Sequence, residues 1–140
     1  GELTIEASRD TVTAVSRFER GTLIEAIHAA DAPRIARAVA SLEAGGEPLP
    51  LLLWTLTEEL RLMMSLAAGQ RPRRFLPPER MAAAQQAARR HGAASFDRLL
   101  AQAHQVDLMA KGVAPGNPWE VVMDMAMGLA GKNVLDRVSV

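Results

Sequence analysis

Apolar and polar residues follow one another along this chain with the period of an α-helix. Between positions 49 and 64, leucines and methionines recur three and four positions apart, as on one face of a helix. The same spacing relates Leu23 to Ile27 and Ile35 to Val39 in two earlier segments. Strand signals are nearly missing, since there is no tyrosine and β-branched residues never alternate over a useful length. The pattern predicts an all-α fold, a compact bundle of about six to seven helices.

Capping residues, prolines and glycines predict the helix boundaries. We expect helices over roughly 4–15, 22–30, 33–44, 48–68, 77–91 and 96–111, and from 118 onward. Asp31 and Asn117 are expected N-caps with a proline in the following turn, and Ser95 is expected to cap the sixth helix. The polar stretch SRFERG is expected to separate the first two helices. Residues 1–20 would then form a linker helix, and residues 21–140 the main helical domain.

The helix predicted over 48–68 is apolar around more of its circumference than one buried face requires. Its main stripe is Leu49, Leu52, Leu53, Leu56, Leu60, Met63 and Met64. Four more large apolar residues lie beside that stripe: Leu51, Trp54, Leu62 and Leu66. Such a helix is either surrounded by its own bundle or contacts a second neighbour. We predict that these four residues form an interface with a partner, with burial inside the bundle as the alternative.

Composition narrows the class of protein. Apolar residues make up 49% of the 140 positions and charged residues 23%, which is typical of a globular domain. The absence of cysteine excludes disulfides, thiolate metal sites and a cysteine nucleophile, and it is consistent with a cytoplasmic protein. The longest apolar run is far shorter than the ~20 residues that a membrane helix needs. We therefore expect a cytoplasmic domain with no membrane partner.

Positive charge is concentrated in one segment although the formal net charge is zero. Residues 70–98 contain seven arginines and two acidic residues, which leaves a formal charge of +5. Arg71, Arg73 and Arg74 are candidate phosphate contacts, and the segment Arg71–Arg98 supports an alternative function as a stand-alone helical nucleic-acid-binding module. Aromatic residues for base stacking do not alternate with these arginines, so we favour a solvated linker and helix face.

No constellation for catalysis or for a cofactor is visible. The three histidines, His28, His91 and His104, lack zinc-binding spacing. Glu58 and Glu59 are adjacent on a helix and diverge by ~100°, so they cannot flank one substrate bond. There is no Gly-rich phosphate loop and no nucleophile elbow. We predict no catalytic residue, no cofactor and no metal, and hence a chain that is not an enzyme.

The order of the segments resembles a known family. LIEAIHAAD, AVASLEAGGEPLPLLLWTLTEELRLMMSL, LLAQAHQVDLMAKG and NPWEVVMDMAMGLAG together resemble the C-terminal region of the delta subunit of the bacterial DNA polymerase III clamp loader. The most telling pieces are the Glu-Pro entry to a leucine-rich helix and the helix that ends in Asp-x-x-x-Lys before a Pro-Trp start. The resemblance covers nearly the whole chain, and its motifs are packing signatures rather than a catalytic fingerprint.

The resemblance implies a role in assembly during DNA replication. Delta subunits carry an AAA+-like module that opens the beta sliding clamp, followed by a helical domain that packs into a collar with those of the gamma/tau and delta-prime type subunits. This sequence is similar to the collar domain, with residues 2–20 bridging from the preceding lid. It contains no AAA+ core, so we expect it to reach the beta clamp and primed DNA only within the intact complex. Since the chain opens on Gly1, we expect it to be an excised fragment.

Overall fold

The fold is all-helical, as predicted. In this computed structural model, the backbone is described for residues 2–132 and the side chains for residues 14–132. Within the described backbone there are six α-helices and no strand. They are α1 (Glu2–Ala29), α2 (Ala32–Ala44), α3 (Leu49–Ala67), α4 (Pro78–Ala88), α5 (Ala93–Ala110) and α6 (Pro118–Leu129).

The helices form a compact bundle, to which α3 contributes four of the largest fully buried side chains, Leu52, Leu56, Leu60 and Met63. Consecutive helices α1 and α2 pack together, as do α5 and α6, while α3 packs against both α4 and α5. Helix α2 also contacts α6, and α1 contacts α4, which closes the bundle. The largest side chains that are almost fully buried come from five of the six helices: Leu23, Ile27, Ile35, Val39, Leu52, Leu56, Leu60, Met63, Leu99, Val106, Met125 and Leu129. Eight of these twelve, in α1, α2 and α3, are residues that the helical spacing above assigned to a buried face, whereas Leu49, Leu53 and Met64 of the predicted stripe are only partly buried.

The predicted break at SRFERG was wrong, because α1 continues through it to Ala29. A single glycine inside a helix costs only about 1 kcal/mol relative to alanine, and Gly21 is the only helix breaker in this stretch. Leu23, Ala26 and Ile27 lie fully buried on the next turns, and their packing outweighs that cost. The expected side-chain positions of Ile5 and Val12 lie outside the described residues. The division of the chain at residue 20 stays a prediction.

The turns between helices follow the predicted chemistry in most places. The Asp31 carboxylate accepts a hydrogen bond from the backbone N–H of Arg34 at 3.2 Å, and the Asn117 side chain accepts one from that of Trp119 at 3.0 Å. Both predicted N-caps are therefore confirmed. Ser95 is not a cap, because α5 begins earlier, at Ala93, with Gly92 in the cap position.

Helix α1 ends in a left-handed turn without a glycine. Ala30 has φ of 54°, in the region that normally favours glycine. The backbone N–H of Asp31 reaches back to the carbonyl of Ala26 at 3.0 Å, which is the bond that closes a helix end of this kind. The result is a two-residue connection that places α2 directly against α1.

Candidate functional site

Helix α3 leaves one part of its apolar flank uncovered. Leu51 is 41% exposed and Trp54 is 61% exposed, and their i, i+3 spacing places them side by side on the first turns of the helix. Two of the four predicted interface residues are therefore open to solvent. A tryptophan rarely lies this exposed without a reason, because its ring has a large apolar surface.

The other two predicted interface residues lie differently. Leu62 is only 7% exposed, so the expectation that it stays available to a partner was wrong. Leu66 is half-buried and packs against the core cluster. The chain itself covers most of the surface of both residues, and Leu62 lies beside the linker that follows α3. We call Leu51 and Trp54 the open flank of α3, and Leu62 and Leu66 its covered flank.

A groove runs beside the second half of α3, between that helix and the linker that follows it. Its volume is about 730 Å³. The lining includes all three candidate phosphate contacts and a fourth arginine from α3, together with several polar and apolar residues: Arg61, Arg71, Arg73, Arg74, Glu58, Leu62, Met64, Ser65, Gln70 and Pro72. We call it the arginine groove. The structure brings the three predicted arginines together here.

Two of these arginines are paired with carboxylates of α3. Arg61 donates to Glu58 at 3.1 Å, and the guanidinium of Arg74 lies 3.8 Å from a carboxylate oxygen of Glu59. Glu59 is itself almost fully buried and also bonds to the Nε2 atom of His28 on α1. The pairing of a buried carboxylate with two basic groups ties α1, α3 and the linker together. Sequence reasoning missed this cluster because its members are up to 46 positions apart in the chain, Arg74 being the farthest from His28.

The seven arginines of the basic segment 71–98 have different surroundings in the structure. Arg90 donates to the carbonyl oxygens of Ile27 and His28 at 3.3 and 2.9 Å, and so caps the C-terminal end of α1. Its charge is thus engaged by a helix terminus. Of the seven arginines in the segment, only Arg71, Arg73 and Arg74 line the groove.

His91 caps a second helix from the same turn. Its Nε2 atom lies 2.7 Å from the carbonyl oxygen of Leu129 at the end of α6, and its Nδ1 atom lies 2.7 Å from the hydroxyl of Ser95. Burial lowers the pKa of the imidazole, the bond to the Leu129 carbonyl opposes this, and the charge of Arg90 lowers the pKa further. The neutral ring therefore donates from Nε2 and accepts from Ser95 at Nδ1.

A third polar contact lies at the entry to α3. The guanidinium of Arg20 donates to a carboxylate oxygen of Glu47 at 2.5 Å, and the Glu47 side chain is fully buried. Glu47 belongs to the Glu-Pro entry noted in the sequence. The contact holds the start of α3, and with it the open flank, against α1.

The remaining polar residues do not form a metal site. Among the side chains of residues 14–132, no group of three or more histidines, aspartates and glutamates could hold a metal ion. His28 and His91 have the structural contacts given above, and Asp107 pairs with Lys111 at 2.9 Å. Within the same part of the chain, no helix has the length and apolar character needed to cross a membrane.

We compared the chain with protein families, curated proteins and solved structures. No protein-family model, no curated protein and no solved structure matches the chain.

Proposed function

We propose that this chain is the collar domain of a delta subunit of the DNA polymerase III clamp loader, and that its role is assembly rather than catalysis. The resemblance of the helix order in the sequence supports the family. The all-helical bundle is consistent with a collar domain. On this proposal the chain is cytoplasmic, needs no cofactor and is not an enzyme.

The observation that carries the proposal is the open flank of α3. The opposite side of the same helix contributes Leu52, Leu56 and Leu60 to the core, each with no exposed surface. Leu51 and Trp54 are therefore held on a rigid support, and the chain itself leaves much of their surface uncovered. Exposed tryptophan on a rigid helix is typical of an interface hot spot, where loss of one side chain costs ~2 kcal/mol or more of binding free energy.

The partners on this proposal are the helical domains of the gamma/tau and delta-prime type subunits. Covering the open flank would remove apolar surface from water, which is the main driving force of such association. On this proposal, the chain reaches the beta sliding clamp and primed DNA as a part of the intact complex.

The experiment is a binding assay between this chain and the other loader subunits of the same organism. We expect co-elution on size-exclusion chromatography, and at least a tenfold loss of affinity in the double variant Leu51→Ser/Trp54→Ser, because two hot-spot side chains are removed. The matched control is Leu100→Ser/Val113→Ser, which removes two exposed apolar side chains from elsewhere on the surface. Absence of any complex, or equal weakening by the control, would contradict the proposal.

A further inference from the structure

Two arginines of the arginine groove form no ion pair with the side chains of residues 14–132. Glu58 offsets Arg61 and Glu59 offsets Arg74. Arg71 and Arg73 are exposed, and none of the ion pairs found among residues 14–132 involves either of them. Their charges remain free for a ligand, and a ligand that matches them carries about two negative charges. A single carboxylate supplies one, whereas two adjacent phosphate groups supply two.

The shape of the groove fits this ligand chemistry. Its volume of about 730 Å³ lies within the usual range of small-ligand sites, roughly 300–1,000 Å³. The guanidinium group binds phosphate through two parallel N–H bonds, and Ser65 and Gln70 on the same lining offer further donors.

An exposed aromatic residue, Phe75, directly follows these arginines in the chain, just outside the lining of the groove. Phe75 is 89% exposed, the highest value among the large apolar residues with described side chains. It follows Arg73 by two positions, so their Cα atoms are at most about 7.6 Å apart. An unpaired nucleotide base can stack on such a ring while its phosphates lie among arginines. The sequence interpretation of this stretch as a plain solvated linker overlooked Phe75.

We propose that the arginine groove binds closely spaced phosphate groups through Arg71 and Arg73, with an unpaired base stacked on Phe75. The two sources of this chemistry are a single-stranded nucleic acid and a free polyphosphate, and Phe75 distinguishes them because only the former has a base. Arg74 is a positioning residue, since its contact with Glu59 holds the linker against α3. This site is independent of the assembly role, because neither Leu51 nor Trp54 lines the groove.

The test uses the 140-residue chain and two probes, a fluorescein-labelled oligothymidylate and inorganic tripolyphosphate as its competitor. Binding is measured by fluorescence anisotropy at about 50 mM and about 200 mM salt, since phosphate contacts weaken steeply over this range. We expect Arg71→Gln/Arg73→Gln to weaken both probes at least tenfold. The matched control Arg37→Gln/Arg98→Gln removes two exposed arginines outside the groove and should change affinity by less than twofold.

Phe75→Ser separates the two sources. We expect it to weaken the oligothymidylate at least threefold and to leave tripolyphosphate unchanged. Tripolyphosphate binding that needs Arg71 and Arg73, without any binding of the oligothymidylate, would support the phosphate site and overturn the stacked base. Absence of binding by both probes at low salt, or equal losses in the groove variant and its control, would overturn the proposal. Thermal melts of each variant confirm that it is folded.

Discussion

The open and covered flanks of α3 consist of similar apolar side chains but differ in how much of their surface is exposed to solvent. Both consist of large apolar residues beside the main stripe of one helix. The chain itself covers most of Leu62 and Leu66, whereas Leu51 and Trp54 lie near the helix start, where much of their surface meets solvent. The fraction of a helix circumference that is apolar therefore indicates how much of the helix has to be covered. It does not indicate which of the apolar residues the fold covers.

The largest expected effect is at the core stripe between the two flanks. Leu56 is fully buried, so Leu56→Ala removes apolar contacts and leaves a cavity. We expect a loss of about 3–5 kcal/mol in the free energy of unfolding, measured by urea denaturation. A loss below about 1 kcal/mol would contradict the full burial of the Leu56 side chain in the core.

A matched pair of substitutions tests the two flanks directly. Leu62→Ala should cost about 2 kcal/mol of stability, because the side chain is buried within the chain. Leu51→Ala removes the same atoms from the open flank and should cost less than about 0.5 kcal/mol. The measurement is the urea midpoint of each variant. Equal losses of unfolding free energy at the two positions would show that Leu51 and Leu62 contribute equally to the packing of the chain.

His91, in the turn between α4 and α5, bonds to the end of α6, and both α4 and α5 pack on α3, the helix that carries the two flanks. The pKa of His91 is lowered in the folded state, so the neutral ring is favoured there. This contribution to stability is present above the unfolded pKa of ~6.5 and is lost as the pH falls from 6.5 towards the folded value.

We therefore expect the wild type to lose more thermal stability than His91→Gln between about pH 7.5 and pH 5. Glutamine keeps a hydrogen-bond donor but does not titrate. The variant His104→Gln, at an exposed histidine, should follow the wild type. Parallel melting curves for His91→Gln and the wild type at every pH would show that the ring is not kept neutral by its burial.

The smallest expected effect is a backbone change away from both flanks. Ala30 adopts a positive φ, so Ala30→Gly should relieve strain and raise stability by about 0.5–1 kcal/mol. Ala29→Gly, one residue earlier inside α1, should lower stability by up to about 1 kcal/mol. The gain should add to the cost of Leu51→Ala, because the two residues belong to different elements, the turn after α1 and helix α3. Calorimetric melts of the single and double variants would show a failure of additivity.

The fold class and much of the core could be read from the sequence. Helical spacing identified Leu23, Ile27, Leu56 and Leu60, and cap chemistry identified Asp31 and Asn117. These features are local, because one turn of helix relates each residue to its neighbours and a cap bonds within three positions. The one error in the number of helices came from relying on local signals alone. Gly21 and its polar neighbours indicated a break, but the burial of Leu23 and Ile27 on the following turns keeps α1 continuous.

The candidate sites depended on contacts that the sequence does not display. Glu59 on α3 contacts His28 on α1 and Arg74 in the linker. Arg90 and His91, in the turn between α4 and α5, cap the ends of two other helices. Each of these contacts joins distant parts of the chain. The same long-range contacts distinguish the arginines: Arg90 donates to carbonyl oxygens of α1, whereas Arg71 has no ion pair among residues 14–132.

The sequence by itself determined that this chain forms helices, where most of them begin and end, and which stripe of α3 is buried. Only the tertiary structure decided that Leu62 is covered while Trp54 is open, and that three linker arginines share one groove. The physical reason is range: helix formation depends on neighbours a few positions away, whereas burial and charge pairing depend on side chains that the fold brings in from distant positions.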